Sequence, residues 1–468
     1  MSLAYETDVD LGRAIFGHAQ LGDQRRTARL VETFNLMRRH PGGTLPDKLP
    51  TPADLRAFYR LCDADDVTHG AIIAAAGQHT RTRIADSPGA VLIVHDATEL
   101  DYTSLTSLAD DLGQIGKGLN RGYICHNVLA LAADTGDVLG LVDQILHHRD
   151  EVPENETLSE HRERETRESL LWLRGTEHLP ADVKLIDVAD QGSDTFEFLE
   201  HEFHSGRRFV LRACKVRQVC AGHQPVGQRH YLKAYVQSLP ELGRFTMDVQ
   251  AQPGRKARKA AEFIVRGGPV LVCPPHAKYG DHGDDPLPLY VVQITEVDPP
   301  AGEKAIDWTL LTNEPVRMFA DAWRVAGWYE RRWIVEEYHK AQKTGCQIED
   351  LQFTTTARLE PAIALLSVVA VTLLNLRDAS RRPDATTRQA TTLLSPDYVN
   401  VLSLWRYREL REHLTVHDFF YALARLGGHQ NRKSDHRPGW LVLWRGWTKL
   451  QAMLDGYAAA QAVKCGRT

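Results

Sequence analysis

The sequence predicts an α/β protein in which two strands and one helix each carry an acidic residue. Two short apolar runs, residues 91–95 and 183–189, are typical of buried strands, and each is followed by an aspartate, Asp96 or Asp190. A helix-length segment, residues 329–343, contributes Glu336. Because sites in open α/β sheets form at the carboxyl ends of strands, we expect the three acids to share one site.

Four parts follow one another along the chain. We expect a helical N-terminal domain over residues 1–70 and an α/β core split between 71–225 and 305–370. A β-rich insertion over 226–304 separates the two core segments, and a helical C-terminal domain covers 371–468. The 146 residues from Asp190 to Glu336 are far more than a strand-to-helix connection needs, so something folded must be inserted there.

Further strand candidates fill the core and the insertion. In the core, the runs at 124–132 and 138–146 are expected to form a meander with the strand of Asp96, beside the strand of Asp190. Five strands are expected in the insertion: Arg229–Gln237, Arg244–Val249, Ala261–Val265, Pro269–Cys273 and Leu289–Ile294.

The segment from Tyr329 to Lys343 has a helical stripe of polar side chains. Tyr329, Arg332, Glu336 and Lys343 stand at relative positions 0, 3, 7 and 14, with Lys340 nearby. Residues three, four and seven apart share a helix face, so one carboxylate is flanked by a phenol and by cations. This pattern suits a polyanion held against a divalent metal, although a solvated helix with ordinary ion pairs has the same pattern.

The three acids are predicted to be catalytic residues and metal ligands. Carboxylates crowded in a cleft repel one another, and divalent cations remove that cost. Hard oxygen ligands favour two Mg²⁺ ions, with Mn²⁺ as a substitute, about 3.5–4 Å apart. We expect Asp96 to bridge both ions, with Asp190 and Glu336 each holding one. The alternative for either aspartate is a helix or turn cap.

Bulk composition is that of a globular protein and leaves the partner open. The net charge of −5 argues mildly against nucleic acid, but phosphate binding depends on local basic clusters. The seven cysteines are scattered and form no Cys-x2-Cys pair, which favours reduced thiols in a cytosol. No signal peptide is recognisable at the start, and the apolar run 362–376 is too short for a membrane helix. A cytoplasmic protein without a membrane partner is expected, with 362–376 as a buried helix.

Basic residues cluster at two predicted DNA-binding surfaces outside the helical stripe. Arg25, Arg26 and Arg29 lie on one face of a helix that Asp23 is expected to cap. Arg212 and Lys215 belong to a second cluster, after the strand of Asp190. Arginine can contact guanine edges or phosphates, but a solvated basic helix remains the alternative at the N-terminus.

The motif Tyr-x2-Arg-x3-Glu-x6-Lys, together with the strands that carry Asp96 and Asp190, resembles the bacterial DDE transposases of the insertion-sequence-four family. The resemblance runs from the Arg25 segment to Tyr457. It implies an RNase H-like catalytic core with a β-rich insertion, an N-terminal domain that reads terminal inverted repeats, and a homodimer formed on double-stranded DNA through the C-terminal helices. By the same resemblance, Trp308 fills the space of a flipped-out base, while Tyr329 and Arg332 hold the displaced backbone; a plain core aromatic is the alternative for Trp308.

The expected activity is cut-and-paste DNA transposition in a bacterial, nucleoid-associated setting. Two Mg²⁺ ions would assist cleavage of the transposon ends, through a hairpin, and joining of the 3′-ends to target DNA. The sequence departs from the family at residues 191–193, at Ile334 and Gln342, and across 378–412. Two other classes stay open: an RNase H-like resolvase or nuclease, and a non-catalytic DNA-binding regulator descended from a transposase.

Overall fold

The structure is a computed structural model. It describes residues 11–464, apart from residues 151, 153–154, 180, 183, 223–228, 252–254, 278, 412, 433–434 and 436.

Fifteen α-helices occur in the described part of the chain, and most begin at a Ser, Thr or Asp whose position suits an N-cap. Asp23, for example, accepts a hydrogen bond from the backbone N–H of Arg25 at the start of α2, as the sequence predicts. The helices are α1 Leu11–Phe16, α2 Gln24–Arg39, α3 Leu45–Lys48, α4 Pro52–Cys62, α5 His69–Ala85, α6 Leu158–Glu163, α7 Leu171–Thr176, α8 Phe196–His204, α9 Leu232–Ser238, α10 Phe319–Glu330, α11 Ile334–Lys340, α12 Thr356–Arg381, α13 Pro396–Tyr407, α14 Val416–Leu426 and α15 Trp440–Lys464.

Twelve described strands form one mixed sheet. They are β1 Val91–Asp101, β2 Gly113–Gln114, β3 Arg121–Ala132, β4 Val138–His147, β5 Leu185–Ala189, β6 Arg208–Arg212, β7 Gln218–Ala221, β8 His230–Tyr231, β9 Glu241–Val249, β10 Arg258–Val272, β11 Leu287–Glu296 and β12 Asp307–Thr312.

The strand order places the acid-bearing strands side by side. β1 pairs antiparallel with β3, which pairs antiparallel with β4, so these three strands form the expected meander. On its other side β1 pairs parallel with β5, and β5 pairs parallel with β6. The sheet then continues through β12, β11, β10, β7 and β8, so the strands of the 226–304 region extend the same sheet.

Helix α12 lies in the core of the protein. It packs against α5, β4 and the end of the helical segment 329–343, and it buries almost every apolar side chain along residues 362–374. At 26 residues it is longer than the predicted apolar run, and by length and composition alone it could cross a membrane. Its most apolar window is 94 % buried inside the protein, which is the environment of a core helix. The predicted buried helix is therefore present.

Three local predictions were wrong. Residues Arg229–Gln237 form the two-residue strand β8 and then helix α9, because Leu232, Tyr235 and Val236 are apolar at helical spacing. The two runs predicted as strands at 261–265 and 269–273 are one strand, β10, which passes through Gly267 and Gly268 without a turn.

Asp96 was expected at the exposed end of its strand, but β1 continues to Asp101, and the Asp96 side chain is buried. The strand continues because residues 97–101 keep pairing with β3 after the pairing with β5 has ended.

The segment 329–343 is helical throughout but is not a regular α-helix. A 3₁₀ turn at Arg331–Trp333 separates α10 from α11, and Ala341–Gly345 is a π-helical turn. Turns of this kind change which side chains share a face, and they often occur at functional sites.

Candidate active site and nucleic-acid interface

Asp96 and Asp190 lie next to each other on neighbouring parallel strands. The last paired residues of β1 and β5 are His95 and Ala189, and each aspartate is the next residue in its strand or turn. Adjacent strands lie about 4.8 Å apart, so the two carboxylates start from neighbouring backbone positions. Asp190 also caps the 3₁₀ turn Gln191–Ser193 by accepting the N–H of Gly192 at 2.8 Å. The turn-cap interpretation of Asp190 is thus correct, and it fixes the carboxylate beside Asp96.

Glu336 reaches the same place from the helical layer, with Arg332 between the acids. α11 packs against β1, and the Arg332 guanidinium donates to Asp96 Oδ2 at 2.6 Å. The other terminal nitrogen of Arg332 lies 3.7 Å from Glu336 Oε1. The side chains of Asp96 and Arg332 are 11 % exposed and that of Glu336 is 36 % exposed. Arg332 therefore links the buried acid of the sheet to the more open acid of the helix.

The electrostatics of Asp96 reflect both other acids. Burial, followed by the negative charges of Asp190 and Glu336, raises the pKa of Asp96 to about 7 against the opposing positive charge of Arg332. The three carboxylates are therefore close enough to repel one another electrostatically, and a bound cation would relieve this repulsion.

The donor chemistry suits a hard divalent cation, but the side chains are not yet arranged around one. Within the described part of the chain, no three acid, histidine or cysteine side chains are gathered closely enough to hold a metal ion as they stand. The guanidinium of Arg332 supplies the positive charge at Asp96 instead. A metal ion that bound Asp96 would therefore compete with Arg332.

Tyr329 and Trp308 lie side by side next to Arg332. Their rings meet edge to face with centroids 5.4 Å apart, and the Arg332 guanidinium lies 5.9 Å from the centre of the Tyr329 ring. Arg212 hydrogen-bonds the Tyr329 side chain and donates to the carbonyl of Asp307 at 3.3 Å. Tyr329 is buried and Trp308 is half-buried, so the ring of Trp308 is the more accessible of the pair.

The three predicted lysine contacts have different environments. Lys340 is exposed one helical turn after Glu336. Lys343 donates to the backbone carbonyl of Glu99 on β1 and pairs with Glu349 at 3.2 Å, so it joins the π-helical turn to the sheet. Lys215 is exposed in the loop between β6 and β7.

A buried polar layer behind the acids was not found from the sequence. Asn127, paired with Asp96 across β1 and β3, bonds His339 at 3.2 Å and Gln144 at 2.7 Å. Gln144 and Gln342 both donate to the hydroxyl of Ser367 on α12. Ser367, a polar residue within the apolar run 362–376, was the available signal, but its partners Gln144 and Gln342 are distant in sequence.

Two buried histidines lie in or next to this layer. Burial lowers the pKa of His339 to about 3, helped by the charges of Lys343 and Arg332. Burial also lowers the pKa of His126 well below its usual value, and among the described residues neither of its ring nitrogens has a hydrogen-bond partner. Both rings are therefore held neutral in the folded protein.

We expect acid to destabilise the fold through these histidines. The unfolded chain binds a proton at each near pH 6.5 and the folded protein does not, so the stability present above about pH 6.5 is lost as the pH falls. Each histidine contributes about 1.4 kcal/mol per pH unit. Urea unfolding followed by circular dichroism at several pH values between 7.5 and 4.5 measures the slope. His339→Gln should have a shallower slope than wild type, and an equal slope would contradict the assignment.

The predicted basic face of the N-terminal domain has one exposed and two partly exposed arginines, each paired with an acid. Arg25 lies beside Asp23, Arg26 pairs with Asp66 at 2.6 Å, and Arg29 pairs with Glu32 at 2.8 Å. The Arg25 side chain is 91 % exposed. Such surface pairs contribute little to stability, so the guanidinium groups can exchange these carboxylates for phosphates at small cost.

The N-terminal domain matches a known protein family. Residues 13–67, which include α2 and its three arginines, match the family described as Transposase DNA-binding. With the mixed α/β fold, this match supports a transposase that binds DNA.

Proposed function

We propose that the protein is a DDE transposase, a metal-dependent DNA nuclease and strand transferase with an RNase H-like catalytic core. The observation that carries the proposal is the meeting of Asp96 and Asp190 at the end of their strand pairing, with Glu336 joined to Asp96 through Arg332. The strand order β4–β3–β1–β5–β6, with an antiparallel meander followed by two parallel strands, supports an RNase H-like core. The transposase DNA-binding match supplies the second, independent support.

In this proposal Asp96, Asp190 and Glu336 hold Mg²⁺, or Mn²⁺ in its place. The bound ions would activate the attacking oxygen and stabilise the leaving oxygen. Arg332 and Lys340 hold the scissile strand against the acids by pairing with its phosphates. Water attacks the phosphorus at the transposon end, and the 3′-oxygen leaves as a hydroxyl. That hydroxyl attacks the opposite strand to form the hairpin, which releases the flanking DNA, and a second water opens the hairpin and frees the 3′-hydroxyl again. The 3′-hydroxyl then attacks target DNA and displaces a target 3′-hydroxyl, so no side chain becomes covalently linked.

The ring pair Trp308–Tyr329 would hold a base that is flipped out of the duplex next to the cut. Extruding a base costs a few kcal/mol, and an accessible aromatic ring recovers part of this by stacking. Trp308 takes that role, and Arg212, which bonds Tyr329, neutralises the adjacent backbone. This arrangement would allow the two strands at the end to join as a hairpin.

DNA binding at the inverted repeats is assigned to Arg25, Arg26 and Arg29. The homodimer on DNA is assigned to the C-terminal helices, where α15 carries an exposed Tyr457 and packs on α13 and α14. A transposase that acts on bacterial DNA would be found with the nucleoid in the cytoplasm.

The test is cleavage of DNA that carries the inverted repeats flanking the gene. Wild type, Asp190→Asn and Trp308→Ala are compared on denaturing gels in Mg²⁺, Mn²⁺ or Ca²⁺. We expect nicks and hairpins from wild type in Mg²⁺ and Mn²⁺, no product from Asp190→Asn, and nicks without hairpins from Trp308→Ala. Specific binding without any cleavage by wild type would favour a regulator, and cleavage that ignores the repeats would favour a resolvase-like nuclease.

A further inference from the structure

A cleft of about 800 Å³ opens one turn beyond Asp190. Its walls come from four segments: residues 149, 152 and 161–169, the turn 194–197, the β6–β7 loop 215–218, and residues 273–277 and 279–282 between β10 and β11, with Tyr231 of β8 at the lip. We call it the Tyr231–Tyr279 cleft. Its size is within the range of pockets that take small ligands and far too small for a duplex.

Two buried carboxylates hold the walls of the cleft in place. Asp194 accepts the backbone N–H groups of Cys214 at 2.6 Å and Lys215 at 2.7 Å, and it also pairs with Arg217. Since Asp194 ends the turn that Asp190 begins, the β6–β7 loop is anchored to the acid-bearing turn.

Glu197 holds the opposite wall in place. It accepts hydrogen bonds from both terminal nitrogens of Arg167, at 2.8 and 2.9 Å, and from the backbone N–H of Asp281 at 2.9 Å. Glu197 and Arg167 are both buried. The cleft is therefore formed by charge-assisted hydrogen bonds before any ligand arrives.

Large apolar side chains at the lip of the cleft are exposed. Tyr231 is 58 %, Tyr279 61 % and Val216 86 % exposed. His161 Nδ1 hydrogen-bonds the backbone carbonyl of Tyr279 at 3.1 Å, and the two rings meet edge to face, so Tyr279 is held against His161 in the lining. Exposed aromatic rings on a fixed frame are suited to stacking with a planar partner.

The exposed charge at the lip of the cleft favours an anion. The four lining arginines are paired with acids: Arg149 with Glu168, Arg164 with Glu156, Arg167 with Glu197 and Arg217 with Asp194. Lys215 is the exposed cation at the lip, and His161, His276 and His282 also line the cleft.

We propose that the Tyr231–Tyr279 cleft binds one or two unpaired nucleotides of a DNA strand that runs on from the site of Asp96, Asp190 and Glu336. The bases stack on Tyr231 and Tyr279, and Lys215 pairs with the intervening phosphate. A surface that combines aromatic rings with cations is the general solution for single-stranded nucleic acid. The inference rests on the proposed function, because it assigns the cleft to the same DNA substrate.

The test is binding of a fluorescent single-stranded oligothymidylate, followed by anisotropy at fixed salt. We expect the double variant Tyr231→Ala/Tyr279→Ala to bind at least about tenfold more weakly than wild type, since base stacking contributes about 1–3 kcal/mol per base. Tyr231→Phe/Tyr279→Phe, which keeps both rings, should bind like wild type, as should the control Met247→Ala, which removes an exposed apolar side chain from β9. The thermal midpoint of each variant shows that it is folded.

Two results would overturn the proposal: equal affinity of wild type and the alanine pair for the oligothymidylate, or an equal loss of affinity in Met247→Ala. The same preparations are tested on duplex inverted-repeat DNA, with Arg25→Ala/Arg29→Ala as the comparison. The protein could need the two tyrosines to bind oligothymidylate and yet neither bind nor cut repeat DNA. That combination would support nucleotide binding in the cleft and reject the transposase assignment. If wild type cleaves repeat DNA but binds oligothymidylate equally well without the two tyrosines, the transposase assignment stands and nucleotide binding in the cleft is rejected.

Discussion

Glu336→Gln is expected to lower the rate of DNA end cleavage by roughly 10³-fold or more, a loss of about 4 kcal/mol of transition-state stabilisation. The amide keeps the size of the side chain but removes the charge that a divalent cation needs. Glu336 is more than a third exposed, and its contact with Arg332 is long at 3.7 Å, so the fold should tolerate the change. Single-turnover cleavage of repeat DNA in Mg²⁺ measures the rate, and anisotropy with the same DNA measures binding.

Glu330→Gln is the matched control for this experiment. Glu330 is an exposed acid at the end of α10, six residues before Glu336 in the same helical segment. The Glu330→Gln variant should cleave at a rate within about twofold of wild type if the loss in Glu336→Gln comes from the missing Glu336 carboxylate and not from a change in the net charge of the helical segment. Equal losses in both variants, or weaker DNA binding by Glu336→Gln alone, would contradict a metal-ligand role.

Strand periodicity explains why the sequence could indicate the two aspartates. The runs before Asp96 and Asp190 are almost wholly apolar, as strands buried on both faces must be, so each acid stands out at the point where the pattern breaks. The parallel pairing of β1 and β5 then brings the acids together. A break in apolar pattern does not show where a strand ends, however, and for that reason the continuation of β1 to Asp101 was missed.

The helical stripe was harder to interpret from sequence. Spacing alone placed Arg332 and Lys343 among the cations that face DNA. In the structure Arg332 bonds Asp96, and Lys343 reaches the carbonyl of Glu99 and the carboxylate of Glu349, so a DNA phosphate would have to compete with these partners. These partners are distant in sequence, and the 3₁₀ and π turns rotate the side chains away from the positions of a regular helix. The layer around Asn127 and the walls of the Tyr231–Tyr279 cleft depend on tertiary contacts of the same kind.

Arg332→Ala is expected to destabilise the metal-free protein by about 3 kcal/mol or more, because it leaves the buried carboxylate of Asp96 without its cation. Arg331→Ala is the neighbouring control; Arg331 is partly exposed and donates to the carbonyl of Asp134 at 2.7 Å, so its loss should cost about 1 kcal/mol. Urea unfolding in the presence of a chelator measures both. Equal effects of the two substitutions would show that the Arg332–Asp96 pair contributes nothing specific.

Asp96→Asn in the Arg332→Ala background separates the ion pair from the packing of the guanidinium. The double variant buries no unpaired charge, so it should regain about 2 kcal/mol relative to Arg332→Ala. Mg²⁺ provides the complementary measurement, since a cation at the acids would replace the charge of Arg332. It should raise the thermal midpoint of Arg332→Ala more than that of wild type, where Arg332 competes for Asp96, and leave the double variant almost unchanged. A shift of the same size in all three proteins would place the Mg²⁺ elsewhere and argue against Asp96 as its ligand.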